Sequence, residues 1–109
     1  MELTFTKDGD KYVTSFAVTS DFNIHIEKSG GRVTFYQSAV EGAKYDAIDG
    51  MVMSEGDGVF DKNVVGVICT TYIKIVSDVL PTMAVVTAGE GAEVGYSEAQ
   101  IADTLNTPV

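Results

Sequence analysis

Between residues 20 and 37 the chain alternates apolar and polar side chains so regularly that few local structures can accommodate it. Phe22, Ile24 and Ile26 are separated by Asn23, His25 and Glu27, and after Ser29, Gly30 and Gly31 the apolar row resumes at Val33 and Phe35. Successive side chains of a strand point to opposite faces, so a period of two marks a strand with one buried and one wet face. Glycine accepts the positive φ that tight reversals require. The stretch is expected to be a β-hairpin with the rest of the chain packed around it.

The same pattern recurs on both sides of it. Leu3 and Phe5 alternate with Glu2, Thr4 and Thr6, which predicts a first short strand, and Asp8-Gly9 is a hairpin turn signal. Residues 11–18 place Tyr12, Thr14, Phe16 and Val18 on one face. The first 38 residues thus read as four strands in two hairpins. Residues 39–50 keep no period and read as a long connection, followed by the short apolar run Met51-Val52-Met53 and a turn cluster at 54–58. Val64-Val65-Gly66-Val67-Ile68 is apolar at every position but glycine, which predicts a central strand buried on both faces. Residues 71–77 alternate again, 78–81 turn the chain, and 82–87 form a last strand. The expected fold is all-β: a small antiparallel β-sandwich or flattened barrel of about seven to eight strands over residues 1–87.

Residues 88–109 differ in character. They carry Glu90, Glu93, Glu98 and Asp103 and no basic residue, and read as an acidic tail. Ser97 followed by Gln100 is a capping-box pattern, and Ile101 and Leu105 lie four apart, on one side of a helix of about two turns. Such a helix is too short to persist alone in water, so Ile101 and Leu105 are the expected partner-binding residues, docking on a neighbour or on the chain's own domain. The terminal Thr107-Pro108-Val109 is a weak match to ligands that add to a sheet edge.

Composition bounds the partners. A chain of 109 residues makes one domain, and 16 acidic against 7 basic residues give a formal charge of −9. That charge disfavours phosphate backbones and anionic membrane surfaces. No apolar run approaches the ~20 residues of a membrane helix. Residues 1–7 lack a signal-peptide pattern, so manufacture in a cytoplasm is expected. The single cysteine, Cys69, can form no intrachain disulfide and is expected to be a buried, inert thiol in its apolar run.

The sequence offers little for catalysis. His25 is the only histidine and sits on the polar face beside Asn23 and Glu27, with no nucleophile nearby in sequence. One Cys and one His exclude a Cys/His zinc site within one chain. No nucleophile elbow, dinucleotide fingerprint or phosphate loop occurs. Glu55, Asp57 and Asp61 are the one concentrated group of carboxylates and the weak metal candidates, since Ca²⁺ takes about six to eight hard oxygens, but the group lacks the EF-hand register. Neither a catalytic residue nor a cofactor is expected.

The compact β-domain carrying Ser20-Asp21-Phe22-Asn23-Ile24-His25-Ile26-Glu27, the later Tyr72-Ile73-Lys74-Ile75-Val76-Ser77 and the small-residue tail together resemble short virion proteins of tailed bacteriophages. The nearest flavour is the auxiliary or decoration proteins of gut phages, the crAss-like group among them, and the likeness covers residues 1–87. The resemblance implies a non-enzymatic protein, made in the host cytoplasm and carried in the virion. Its partners would be protein subunits of a larger assembly, as a homo-oligomer or bound to a capsid, with no nucleic acid or membrane. It assigns no residue a role. The alternative expectation is a small module binding carbohydrate or Ca²⁺ through the acidic loop.

Overall fold

The computed structural model describes residues 1–88 and 94–95. They form an all-β sandwich with no helix among the described residues. The strands are β1 (Thr6–Asp8), β2 (Lys11–Val18), β3 (Phe22–Glu27), β4 (Val33–Ser38), β5 (Asp46–Met53), β6 (Val59–Val64), β7 (Thr71–Ser77), β8 (Met83–Ala88) and the two-residue β9 (Val94–Gly95). One sheet runs β1-β2-β7-β4-β5, with β9 on the same edge of β2 as β1; the other runs β6-β3-β8. Every pairing is antiparallel.

The expected β3–β4 hairpin does not form. β3 pairs with β6 and β8, whereas β4 pairs with β7 and β5, so the turn at 28–32 carries the chain from one sheet to the other. A hairpin would lay the two apolar rows side by side on one face. The arch instead turns Ile24 and Ile26 toward Val33 and Phe35 across the interior, and all four are buried. The backbone groups that a hairpin would have paired are taken by other segments. Lys28 N–H donates to Gly58 O at 3.0 Å, Thr82 N–H to Glu27 O at 2.9 Å and Asp78 N–H to Arg32 O at 2.9 Å. Gly30 and Gly31 hold φ of 69° and 70° at the crossing. The Asp78 carboxylate binds the Lys11 ammonium and accepts from Arg32 N–H at 3.0 Å, tying the start of β2 to the arch. The hydrogen bond from Lys11, then that from Arg32, holds the Asp78 carboxyl below its usual value.

The expected β1–β2 hairpin is present, with Gly9 at φ 61° in its turn. Its first strand starts later than the alternation suggests. Residues 1–3 instead lie along β8, with Leu3 N–H on Ala84 O and Val86 N–H on Met1 O, both at 2.8 Å. This buries Leu3 and covers the β8 edge. The opposite edge of that sheet, β6, carries Lys62 opposite Ile24, on the row that faces the interior. An inward-facing charge on an edge strand opposes pairing with a foreign strand.

The long connection expected over 39–50 is in part a strand. Between Thr34↔Val52 and Tyr36↔Ala47, β4 advances two positions and β5 five. The three extra residues, with Gly50 at φ 75°, form a bulge. That bulge destroys the period that would have marked β5 in the sequence. Met51 and Met53 beyond it are buried.

The core lies between the sheets, and two aromatic pairs bridge it. Phe16 on β2 meets Phe22 on β3 edge to face at 6.1 Å, and Phe35 on β4 stacks on Phe60 of β6 at 5.0 Å. Each such pair adds about 0.5–1.5 kcal/mol beyond its area. On β2, Val13 and Ser15 of the second row are buried along with Thr14 and Phe16. The Thr14 hydroxyl has no hydrogen-bond partner among the described residues. Thr14→Val removes that group at nearly constant shape and is expected to raise stability by about 1 kcal/mol in urea unfolding; a loss would show that the hydroxyl is satisfied.

Candidate interaction surface

β6 stops at Val64, and the expected central strand over 64–68 is instead a surface loop. Gly66, at φ 83°, breaks the extended conformation. The Asp21 carboxylate accepts Val67 N–H at 3.1 Å and moors the loop to the β2–β3 bend. Val67 packs against the core, but Val65 is 74 % and Ile68 94 % exposed. Cys69 is exposed too, which corrects the expectation of a buried thiol. A run apolar at nearly every position reads identically whether it is buried on both faces or displayed; only the loop's placement distinguishes them.

This loop forms one wall of a cleft of about 360 Å³ at the end of the sandwich. Phe22, Gln37, Ala39, Val64 and Ile73 line it together with the loop, and none of its lining residues carries a charge. A second hollow of about 380 Å³ lies across the Phe22–Val64 wall, lined by Asp21, Asn23, Asn63 and Thr87 among others. Ala88, the last residue of β8, borders it. Single exposed aliphatic side chains are ordinary on a protein surface. Two on one loop beside an uncharged cleft make a displayed apolar patch.

The weak metal candidates are separated. Among the described residues no three His, Cys, Asp or Glu side chains converge as a metal site would require. Asp57 accepts Ser54 N–H at 2.8 Å and closes its own turn. The carbonyls of Ser54 and Asp57 receive the Lys28 ammonium at 2.8 and 2.6 Å, with Glu55 O at 3.4 Å. Lys28 is only 5 % exposed. The oxygen-rich side of the loop therefore already faces a cation supplied by the arch.

Asp61 belongs to a different cluster. Register places it directly opposite His25, on the outer face of the small sheet. His25 Nδ1 lies 2.8 Å from Asp61 Oδ2 and Nε2 lies 2.7 Å from Glu27 Oε2, while Asn23 donates to Asp61 and Asn63. Hydrogen bonding to Glu27, then to Asp61, raises the His25 pKa above the usual 6.5. The bond from Asn23, then that from His25, lowers that of Asp61. An imidazolium donates to both carboxylates, whereas a neutral ring has one N–H and must turn a lone pair on the other. The stabilisation is therefore full below pH 6.5 and fades as pH rises through the raised value; at the acid end it fades as Asp61 is protonated. The melting-temperature advantage of the wild type over His25→Gln is expected to be larger at pH 6 than at pH 9. A gap that is constant with pH would show that folding leaves the His25 pKa unshifted.

The remaining site residues of the sequence reading, Ile101 and Leu105, lie outside the described residues, as do Ser97, Gln100 and Thr107-Pro108-Val109. Two residues of the stretch read as tail, Val94 and Gly95, form β9 on β2, opposite Val18 and Ala17. No helix among the described residues is long and apolar enough to cross a membrane. Comparison with protein-family models, curated proteins and solved structures finds no match to this chain.

Proposed function

We propose that this protein is a non-enzymatic structural subunit that binds neighbouring protein subunits in a larger assembly, of the phage virion kind its sequence resembles. The observation that carries the reading is the displayed apolar loop 65–69 beside an uncharged cleft. Burying Val65 and Ile68 against a neighbour supplies the favourable term of association, and the absence of charge in the cleft lowers the desolvation cost. Such a cluster acts as the centre of an interface, with Asn23 and Asn63 of the adjoining hollow on one side of it. The reading calls on no cofactor.

Sedimentation velocity of the full chain over a range of concentrations tests it. Val65→Asp/Ile68→Asp alters exposed positions only, so its melting temperature should match the wild type within a few degrees. Its association should be lost. A double variant that associates as the wild type does would overturn the reading.

A further inference from the structure

The outer face of the large sheet gathers tyrosines that are far apart in sequence. In β7 the buried row is Ile73, Ile75 and Ser77, which leaves Tyr72, Lys74 and Val76 on the outer face. In β4 Val33 and Phe35 are buried, which leaves Thr34, Tyr36 and Ser38 outside. Register sets Tyr36 directly opposite Lys74 and Ser38 opposite Tyr72. Tyr36 and Tyr72 are therefore diagonal neighbours, about 7–8 Å apart. The connection after β4 folds back over the same face. The Lys74 ammonium stands 6.0 Å from the centre of the Tyr45 ring. Hydrogen bonding toward Glu41 raises the Tyr72 pKa above the usual 10.0. Three of the five tyrosines thus surround one lysine, and among the described residues Lys74 has no carboxylate within ion-pair distance.

We propose that this face binds a carbohydrate chain containing uronic acid, its rings against Tyr36, Tyr45 and Tyr72 and a carboxylate on Lys74. A pyranose presents a face of C–H groups that packs on an aromatic ring, while its hydroxyls stay at the rim and keep their hydrogen bonds. A uronic acid adds a carboxylate fixed to the same rigid ring. The face offers the matching pair, aromatic surface around an unpaired ammonium, and a charge-assisted hydrogen bond joins the two charges. A neutral sugar would strip water from Lys74 and return no charge to it. Glu41 gives the site polarity: it accepts from a sugar hydroxyl and repels a second carboxylate, which directs the acid group to Lys74.

Two other anionic polymers fit less well. An acidic peptide carries its carboxylates on flexible stems, so that ordering them costs entropy, and it offers the tyrosines no rigid C–H face. A nucleic acid stacks on aromatic rings, but its phosphates would meet this single lysine on a chain of charge −9. None of Tyr36, Tyr45, Tyr72 and Lys74 lines the cleft beside loop 65–69. The carbohydrate face and the subunit contact are thus separate surfaces of one domain.

Calorimetric titration of the full chain with trigalacturonate, trimannuronate, the neutral galactotriose and an oligothymidylate tests the proposal. At least one of the uronates should bind, about tenfold or more tightly than galactotriose. Lys74→Gln should abolish that preference, Tyr36→Ala should weaken all sugar binding, and Tyr36→Phe, which keeps the ring, should retain it. These side chains are partly exposed, so each variant should melt within a few degrees of the wild type. Val65→Asp/Ile68→Asp should bind the uronate as the wild type does, whatever becomes of its association with other subunits. No binding of either uronate would overturn the proposal, as would equal affinity for galactotriose, tighter binding of the oligothymidylate, or a uronate affinity unchanged in Lys74→Gln.

Discussion

Gly31→Ala is expected to destabilise the protein by about 2–4 kcal/mol, while Gly30→Ala costs about half as much. Both glycines have φ near 70°, where a Cβ costs about 1–2 kcal/mol. They differ in surroundings. A Cβ on Gly30 meets nothing within 4 Å, but one on Gly31 falls 2.9 Å from Val79 Cγ1 and 3.0 Å from Asp78 Cβ. Neither neighbour can yield cheaply. The buried Ser77 hydroxyl donates to Val79 O and accepts from Val79 N–H, which fixes that turn. Asp78 is held by Lys11 and Arg32. Crowding of this kind adds about 1–3 kcal/mol. In a domain of this size the loss corresponds to roughly 10–20 °C in melting temperature. Equal losses at the two positions would show that the arch does not press against the β7–β8 turn.

Lys28→Met is expected to cost about 2 kcal/mol. The substitution keeps the apolar stem and deletes the ammonium that collects the Ser54 and Asp57 carbonyls. Hydrogen bonds to a charged group contribute about 1.5–3 kcal/mol, and here the carbonyls regain some water because their residues are exposed. Amide exchange should quicken at Ser54 and Asp57, whose N–H groups close the 54–58 turn, before it quickens in the core. In the wild type, millimolar Ca²⁺ should leave the melting temperature unchanged, because the lysine already occupies the carbonyl side of the loop. A Ca²⁺-dependent rise would reinstate the metal-binding module and make the lysine incidental.

Both predictions concern the same crossing between sheets, the place where local pattern and tertiary arrangement part. The alternation in β3 and β4 identified the buried row correctly: Phe22, Ile24, Ile26, Val33 and Phe35 are all in the core. It could not identify the neighbours, because a hairpin and an arch bury the same row. The choice is made by Gly58, Asp78 and Thr82, which take up the backbone groups of the turn from far along the chain. β5 was partly hidden because a bulge breaks its period, and the 64–68 run was misplaced because hydropathy does not distinguish burial from display. The His25–Asp61 pair was illegible for a related reason. Its members lie 36 residues apart and meet only through the register of β3 with β6.

The sequence by itself thus determined the all-β class, the positions of most strands and the side of each that faces inward. Those follow from the geometry of the strand and the cost of wetting apolar side chains, which act over two or three residues. Only the tertiary structure decided which strands pair, which glycine is crowded, where the Lys28 charge is spent and that loop 65–69 stands in solvent. Each of these depends on contacts between distant segments, and distance along the chain carries no record of them.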